Sequence, residues 1–486
     1  MKFQLGIVLA LFFACGALAE DAAQIETQHH YFIVAFKTPV TVSASPPLIR
    51  FQDNPQAIEL IEQFALEVTP LFEDISSHSK DSHIAPAENP LPNLSRWMVV
   101  TVPSDHDPDE MLTLLKNLPT VEIAYANPTP LPAGFISSKK TRRTAPALIS
   151  DQGYLNAAPA GNDVHFAWNQ RGGRGKGITI ADIEGDWNKR HLDLPLRDER
   201  IHGARAGRST RWFDHGTAVA GILSARKDNY GITGIAHRVE LQLYSVFRRS
   251  KNNDVFNSVS SAIISAARAL KPGDIILIEV QYLLIENGAL VPVEYFQDAF
   301  EAIQWATAKG ITVVEAAGNS SQNLDDPFYE NRFNRSIRGD SGAILVGAGG
   351  TPNSYDDIHF EESIDRQRLS FSNYGSRLDV QNWGELIVTT GYGDLYDGFG
   401  TREEYTAWFD GTSGAAAITA GVCASLQGIA VKRIGRPLTP SELRTVLVES
   451  GTPQLGDTRN FPIGPRPDLK AAVMLLDQMF DRGKND

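Results

Sequence analysis

Cysteine is almost missing from this chain: only Cys15 and Cys423 occur among 486 residues. Cys15 lies inside an apolar stretch at the N-terminus, so Cys423 is expected to be the lone thiol of the working protein. No internal disulfide can then hold the fold, which must rest on its core or on bound ions. A surplus of positive charge is missing too. The 45 Lys and Arg face 58 Asp and Glu, a net charge of −13, and this argues against a nucleic-acid partner, which demands clustered cations. Past the N-terminus no run approaches the roughly 20 apolar residues of a membrane span, so none is expected. Internal repeats are lacking, and the one stretch of biased composition is Pro-rich and lies near residue 130.

What is present reads as a globular chain with ample core, 42% hydrophobic and 21% charged. Lys2, an apolar run over 5–18 and the small residues of Ala17-Leu18-Ala19 have the three parts of a secretory signal, so residues 1–19 predict export to an extracellular or periplasmic location. Residues 20–127 predict a small α+β unit, with strands over 31–36, 97–102 and 121–126 and helices over 55–68 and 108–118. Residues 128–150 turn Pro-rich and basic (Pro128, Pro130, Pro132, Lys139, Lys140, Arg142, Arg143) and predict an exposed linker open to cleavage. From 151 to 486 strands alternate with helices. Apolar strands over 177–183, 274–280, 311–316 and 343–348 predict an α/β fold with a mostly parallel central sheet, covered by helices on both faces.

Four short motifs stand on this alternation. Asp182 closes an apolar strand, the end at which open α/β sheets carry their sites; Asp186 and Asp193 are compositional rivals that close no strand. His215 lies in Asp214-His215-Gly216-Thr217-Ala218-Val219-Ala220-Gly221 at the start of an expected helix. Asn319 ends Ala316-Ala317-Gly318-Asn319. Ser413 opens the small-residue run Ser413-Gly414-Ala415-Ala416-Ala417, where unpaired helix N–H groups face an incoming anion. A serine hydroxyl needs a base, a group to orient that base and donors for an oxyanion. The order Asp, His, Ser differs from that of α/β-hydrolases and of chymotrypsin-like enzymes.

With His-Gly-Thr-x-Val-Ala-Gly, Ala-Ala-Gly-Asn, Gly-Thr-Ser-x-Ala and His191-Leu192-Asp193-Leu194 in place, the chain resembles the subtilisin-like serine protease family over about 152–475. The resemblance implies a three-layer subtilisin-like fold and a secreted serine endopeptidase. It implies the roles of Asp182, His215 and Ser413 as triad, and of Asn319 as oxyanion donor. It places Glu279, Val280, Gln281, Ala317 and Gly318 at substrate-binding positions, where extended peptide adds as a strand. It makes residues 20–127 an inhibitory, chaperone-like propeptide, and the expected partners are protein or peptide substrates and this propeptide, acting on a monomer. No cofactor is required for the chemistry. Structural calcium is common in the family, but Asp325-Asp326 alone is no ligand set, so metal residues stay unassigned.

The chain departs from the family at Asp182-Ile183-Glu184-Gly185 (Asp-Ser/Thr-Gly in relatives), at Ala417 (Pro in relatives) and at Glu279-Val280-Gln281-Tyr282 (Ser-Leu-Gly-Gly). Gln281 in place of glycine is expected to narrow the channel for substrate side chains. Glu184, Glu279 and Glu315 suggest four readings: selection of basic residues, a cation site, mutually raised pKa values, or pairing with local Arg or Lys. Two alternative functions remain at this point. One is a catalytically impaired relative that binds peptides; the other is an acid-acting serine-carboxyl peptidase, against which His215 and Asn319 speak.

Overall fold

The computed structural model describes residues 29–37, 41–42, 49–50, 55–64, 66–72, 91–136, 147–207, 211–249, 255–352 and 364–481. The expected signal segment 1–19 and the basic run 139–143 lie outside them.

The N-terminal unit forms from β1 (His29–Phe36), α1 (Pro55–Gln63), β2 (Glu67–Pro70), β3 (Trp97–Pro103), α2 (Pro108–Lys116) and β4 (Val121–Ala126). The strands make an antiparallel sheet in the order β2-β3-β1-β4. Helix α2 starts where Asp107 accepts the N–H groups of Asp109 and Glu110 at 2.9 and 3.0 Å, with Pro108 at its first position. One face of the sheet closes on its own helices around Phe32, Val34, Met98, Val100 and Met111. The other face carries Ile33, Ala35, Trp97 and Val99 into the core of the larger unit.

Between the two units the chain runs as β5 (Pro130–Pro132) and β6 (Gly134–Ile136). This segment is not the exposed linker its composition suggests, since Leu131 and Ala133 are buried. Pro130 and Pro132 lock an extended backbone and bring no N–H that would need a partner, which suits a strand laid into a groove.

The larger unit contains β7 (Thr179–Glu184), β8 (Ile201–His202), α3 (Arg211–Ser224), β9 (Glu240–Ser245), α4 (Val259–Ala269), β10 (Ile275–Ile278), β11 (Val280–Leu283), β12 (Leu290–Pro292), α5 (Gln297–Ala308), β13 (Thr312–Ala316), β14 (Ile344–Gly349) and β15 (Val380–Trp383). It ends with β16 (Ile387–Thr390), β17 (Tyr396–Thr401), β18 (Glu404–Gly411), α6 (Thr412–Arg433), α7 (Pro440–Ser450) and α8 (Leu469–Asp481). Seven strands form a wholly parallel sheet, β8-β9-β7-β10-β13-β14-β15. The apolar stripe Phe256, Val259, Ile263, Ala267 and Leu270 predicts a helix over 255–270, and α4 starts four residues later, at Val259. Ser258 caps it through Ser261 N–H at 3.3 Å, and Val255–Asn257 instead pairs as a strand with Phe247–Arg249.

Strand alternation sorts the sheet into two faces. Ile180, Leu277, Val314 and Val346 pack with α3, α6, α7 and α8, whereas Ala181, Ile183, Ile276, Val313 and Leu345 pack with α4 and α5. This is a three-layer, subtilisin-like arrangement. Helix α6 is buried from Thr412 to Ala430. By length and composition it could cross a membrane, but here it is the core helix, almost wholly covered by protein. Cys423 lies within it as a free, buried thiol, and burial raises its pKa far above the usual thiol range.

Candidate active site

Residues 180, 182 and 184 share the face of the sheet that α3 and α6 cover, so β7 delivers two carboxylates toward those helices. The structure brings Glu184, rather than Asp182, to the histidine: Glu184 Oε2 is hydrogen-bonded to His215 Nδ1. Glu184 Oε1 accepts the Gly185 N–H at 3.0 Å. Asp182, one step deeper on the strand, accepts the indole N–H of Trp187 at 2.7 Å, and its Oδ1 has no protein partner. The strand end moves the reach of the side chains: the longer, later Glu184 spans to α3, and Asp182 stays against the buried Trp187. Helix α3 begins by Arg211, so His215 sits one turn inside it rather than at its start.

His215 is fully buried, and burial pushes its pKa down to about 3 against the opposing pull of Asp182. Burial likewise raises Asp182 and Glu184 well above the carboxylate range; for Asp182 the negative charge of Glu184 adds to the effect. With Nδ1 engaged, Nε2 is left without a hydrogen-bond partner, and it faces the chain at Gly134, whose added Cβ would lie 2.7 Å from it.

The residues before and after that point explain the burial. Strand β5 pairs antiparallel with β11, Leu131 opposite Gln281, and β6 pairs antiparallel with β18, Phe135 opposite Asp410. Between them Ala133 donates its N–H to Glu279 O at 3.0 Å. The Ala133 carbonyl oxygen receives the Ser413 N–H at 3.0 Å and Asn319 Nδ2 at 2.5 Å. The Asn319 amide is itself aimed, because its Oδ1 accepts both the N–H and the hydroxyl of Thr412 at 2.9 Å. Gly411, at φ +115°, lets this wall approach: a Cβ there would lie 2.5 Å from the Ala133 oxygen. Ser413, second residue of α6, points its hydroxyl at Glu279 O, 3.3 Å away.

Of the other expected positions, Val280 and Gln281 border the threaded segment through β11. Gln281 Oε1 accepts the Asn319 N–H at 2.9 Å and its Nε2 donates to Pro132 O at 3.0 Å. Ala317 is buried in the sheet's second core, and Gly318, at φ +95°, donates its N–H to the Thr412 hydroxyl. The three glutamates separate. The Glu279 carboxyl is buried with neither oxygen hydrogen-bonded; burial and the charges of Asp182 and Glu184 raise it, while the nearby Ser413 hydroxyl lowers it. Glu315 has the opposite strand parity and faces the second core, where it accepts Glu294 N–H at 3.0 Å beside the Glu294–Arg377 ion pair. Among the described residues no group of three or more His, Cys, Asp or Glu is arranged to hold a metal ion.

A nucleophile on a helix N-terminus, a carboxyl-bound imidazole and two donors on one carbonyl oxygen make the equipment of acyl transfer. The pattern of the subtilase family matches residues 175–464, over half of the chain. The chain belongs to the subtilase family. This subtilase is 27% identical over 356 residues to an intracellular serine protease of Paenibacillus polymyxa, covering 69% of this chain and 92% of that one. It is 28% identical over 309 residues to an extracellular protease of Xanthomonas campestris pv. campestris, covering 62% of this chain and 45% of that longer one. In fold it is similar to fervidolysin from Fervidobacterium pennivorans, a keratinolytic enzyme related to subtilisin, with a TM-score of 0.55, 16% identity and coverage of 92% of this chain and 61% of the other. It is a subtilisin-like serine protease, and relatives named as proteases do not favour the binding-module alternative.

Sequence reasoning missed Glu184 as the histidine's partner and the occupancy of the groove by Ala133 and Gly134. The signal for Glu184 is its position directly before Gly185, on the same strand face as Asp182.

Proposed function

We propose that this subtilase is a secreted serine endopeptidase made as a self-inhibited zymogen, which matures by cutting its own Ala133–Gly134 bond. One observation carries this reading: the Ala133 carbonyl oxygen lies on the Ser413 N–H and Asn319 Nδ2, with His215 Nε2 facing the next residue.

Ser413 Oγ adds to the Ala133 carbonyl carbon and gives its proton to His215 Nε2. Glu184 holds Nδ1 and stabilises the imidazolium, and Asp182, fixed by Trp187, lies behind the pair. The tetrahedral oxyanion rests on the Ser413 N–H and the Asn319 amide. Its collapse breaks the bond to Gly134 N, which takes the proton from His215, and leaves an Ala133 ester on Ser413. Water, deprotonated by His215, releases that acyl group. Residues up to 127 act as the inhibitor. Trp97 Nε1 and Arg96 bond Glu301 at 2.8 and 2.6 Å, and Tyr125 donates to Asp298 at 2.6 Å, so the small sheet docks on α5.

The test is the N-terminal sequence and intact mass of secreted wild type beside Ser413→Ala. Wild type is expected to begin at Gly134 while the variant keeps the N-terminal unit joined. Identical cleavage of both would remove the self-processing reading.

A further inference from the structure

A side chain crosses the space beside the threaded Ala133. The gap there has two walls: β11 with the preceding Glu279, whose carbonyl takes the Ala133 N–H, and the loop that ends in Asn319, whose amide takes the Ala133 oxygen. Gln281 spans from one wall to the other. Rooted in β11, its carboxamide accepts the Asn319 N–H at 2.9 Å and donates to Pro132 O at 3.0 Å. It is buried and both ends are engaged by main chain. Ala133, also fully buried, brings only a methyl group to this space.

The other side of the bond is equally confined. A Cβ on Gly134 would lie 2.7 Å from His215 Nε2 and 3.0 Å from Phe409. Neither can yield easily. Glu184 holds the His215 ring, and Phe409 is fully buried edge-on to it, with centroids 5.4 Å apart.

We infer that Gln281 closes the pocket for the residue before the scissile bond, and that His215 with Phe409 closes the space after it, so this subtilase selects Ala or Gly followed by Gly. The inference rests on the peptidase reading above. A larger residue before the bond must push the Gln281 carboxamide away and leave the Asn319 N–H unpaired in a buried site. Strain then passes to the residue that carries the oxyanion donor, and buried groups left unpaired discriminate strongly.

The experiment uses the secreted wild-type protein and internally quenched peptides built on Thr-Pro-Leu-Pro-Ala-Gly-Phe-Ile, the sequence of residues 129–136. One series replaces Ala by Gly, Leu, Phe, Lys or Glu; a second replaces Gly by Ala or Leu. A fluorophosphonate reports independently whether Ser413 is reactive. The expected result is a kcat/KM for Ala about 100-fold or more above Phe and Lys, and a clear loss when Ala or Leu replaces the glycine. Gln281→Gly should raise the Phe-to-Ala ratio by about tenfold or more. If Q281G does not accumulate, the wild-type series decides. Reactive Ser413 with Phe or Lys cut as readily as Ala overturns the specificity alone, as does labelled protein that cuts none of the peptides. An unchanged Phe-to-Ala ratio in Q281G overturns the role of Gln281. No cleavage together with an unlabelled Ser413 overturns the peptidase reading, and this inference with it.

Discussion

Glu184 grips the Nδ1 side of the His215 ring from the last position of β7, and both groups are closed off from solvent. The pair leaves Nε2 as the one ring nitrogen that can serve Ser413. Glu184→Gln should therefore lower kcat by about 10⁴, the loss seen when the orienting carboxylate of the Ser-His-Asp template becomes an amide. Asp182→Asn, which keeps an acceptor for Trp187, should cost much less. Steady-state kinetics with thermal melts as a folding control decide it, and a larger loss in D182N would return the orienting role to Asp182.

Asn319 contributes one of two donors to the carbonyl oxygen, and Thr412 aims it. Asn319→Ala is expected to lower kcat by about 10² to 10³ with little change in KM, a range established on subtilisin itself rather than worked out for this chain. A change confined to KM would mean that the amide only binds substrate.

Glu279 sits buried beside the Ser413 hydroxyl, close to the charges of Asp182 and Glu184. Because its pKa is raised, its ionisation is deferred to higher pH, and the charge then arrives next to the serine and the oxyanion. Activity should fall on the alkaline side, and Glu279→Gln, which cannot ionise, should carry activity to higher pH. A kcat/KM profile that coincides for both proteins would remove this role.

Asp193 and His191 give stability opposite dependences on pH. Burial raises Asp193 from 3.8 to about 7, although Ile232 N–H and the Tyr405 hydroxyl bond it. Between those values the folded state binds the extra proton, so this group's contribution falls as pH rises from about 4 to 7. His191 is lowered from 6.5 to about 4 by burial, against its bond to Glu404 O. There the unfolded state binds the extra proton, and stability rises with pH over that window. Asp193→Asn should thus steepen the rise of Tm between about pH 4 and 6.5 relative to wild type. A pair of melting curves at each pH tests it, and parallel curves would refute the Asp193 assignment.

Glu301 and Asp298 on α5 tie the N-terminal sheet to the larger unit through Trp97, Arg96 and Tyr125. Losing one partner of such a charged, partly buried bond costs about 2 to 5 kcal/mol. Glu301→Ala should let the cleaved N-terminal fragment separate from the mature unit on size exclusion at a protein concentration where wild type still retains part of it. Retention in both would shift the hold to the apolar contacts around Ile33 and Trp97.

The sequence by itself determined the layered α/β fold and the order of the motifs that carry His215, Asn319 and Ser413. Apolar periodicity and local capping are written in neighbouring residues, and a helix N-terminus offers its N–H groups wherever it lies. Strand parity keeps 182 with 184, and it sends Glu315, one residue out of phase with Val314 and Ala316, to the other face of the sheet, away from the two glutamates with which the sequence groups it. Tertiary structure alone decided which carboxylate meets the histidine, because Asp182 and Glu184 share a face and only the distance to α3 separates them. It also decided that a Pro-rich stretch becomes a buried strand. Local composition predicts exposure for such a segment, but its extended backbone finds open edges on β11 and β18, which come from parts of the chain far away in sequence.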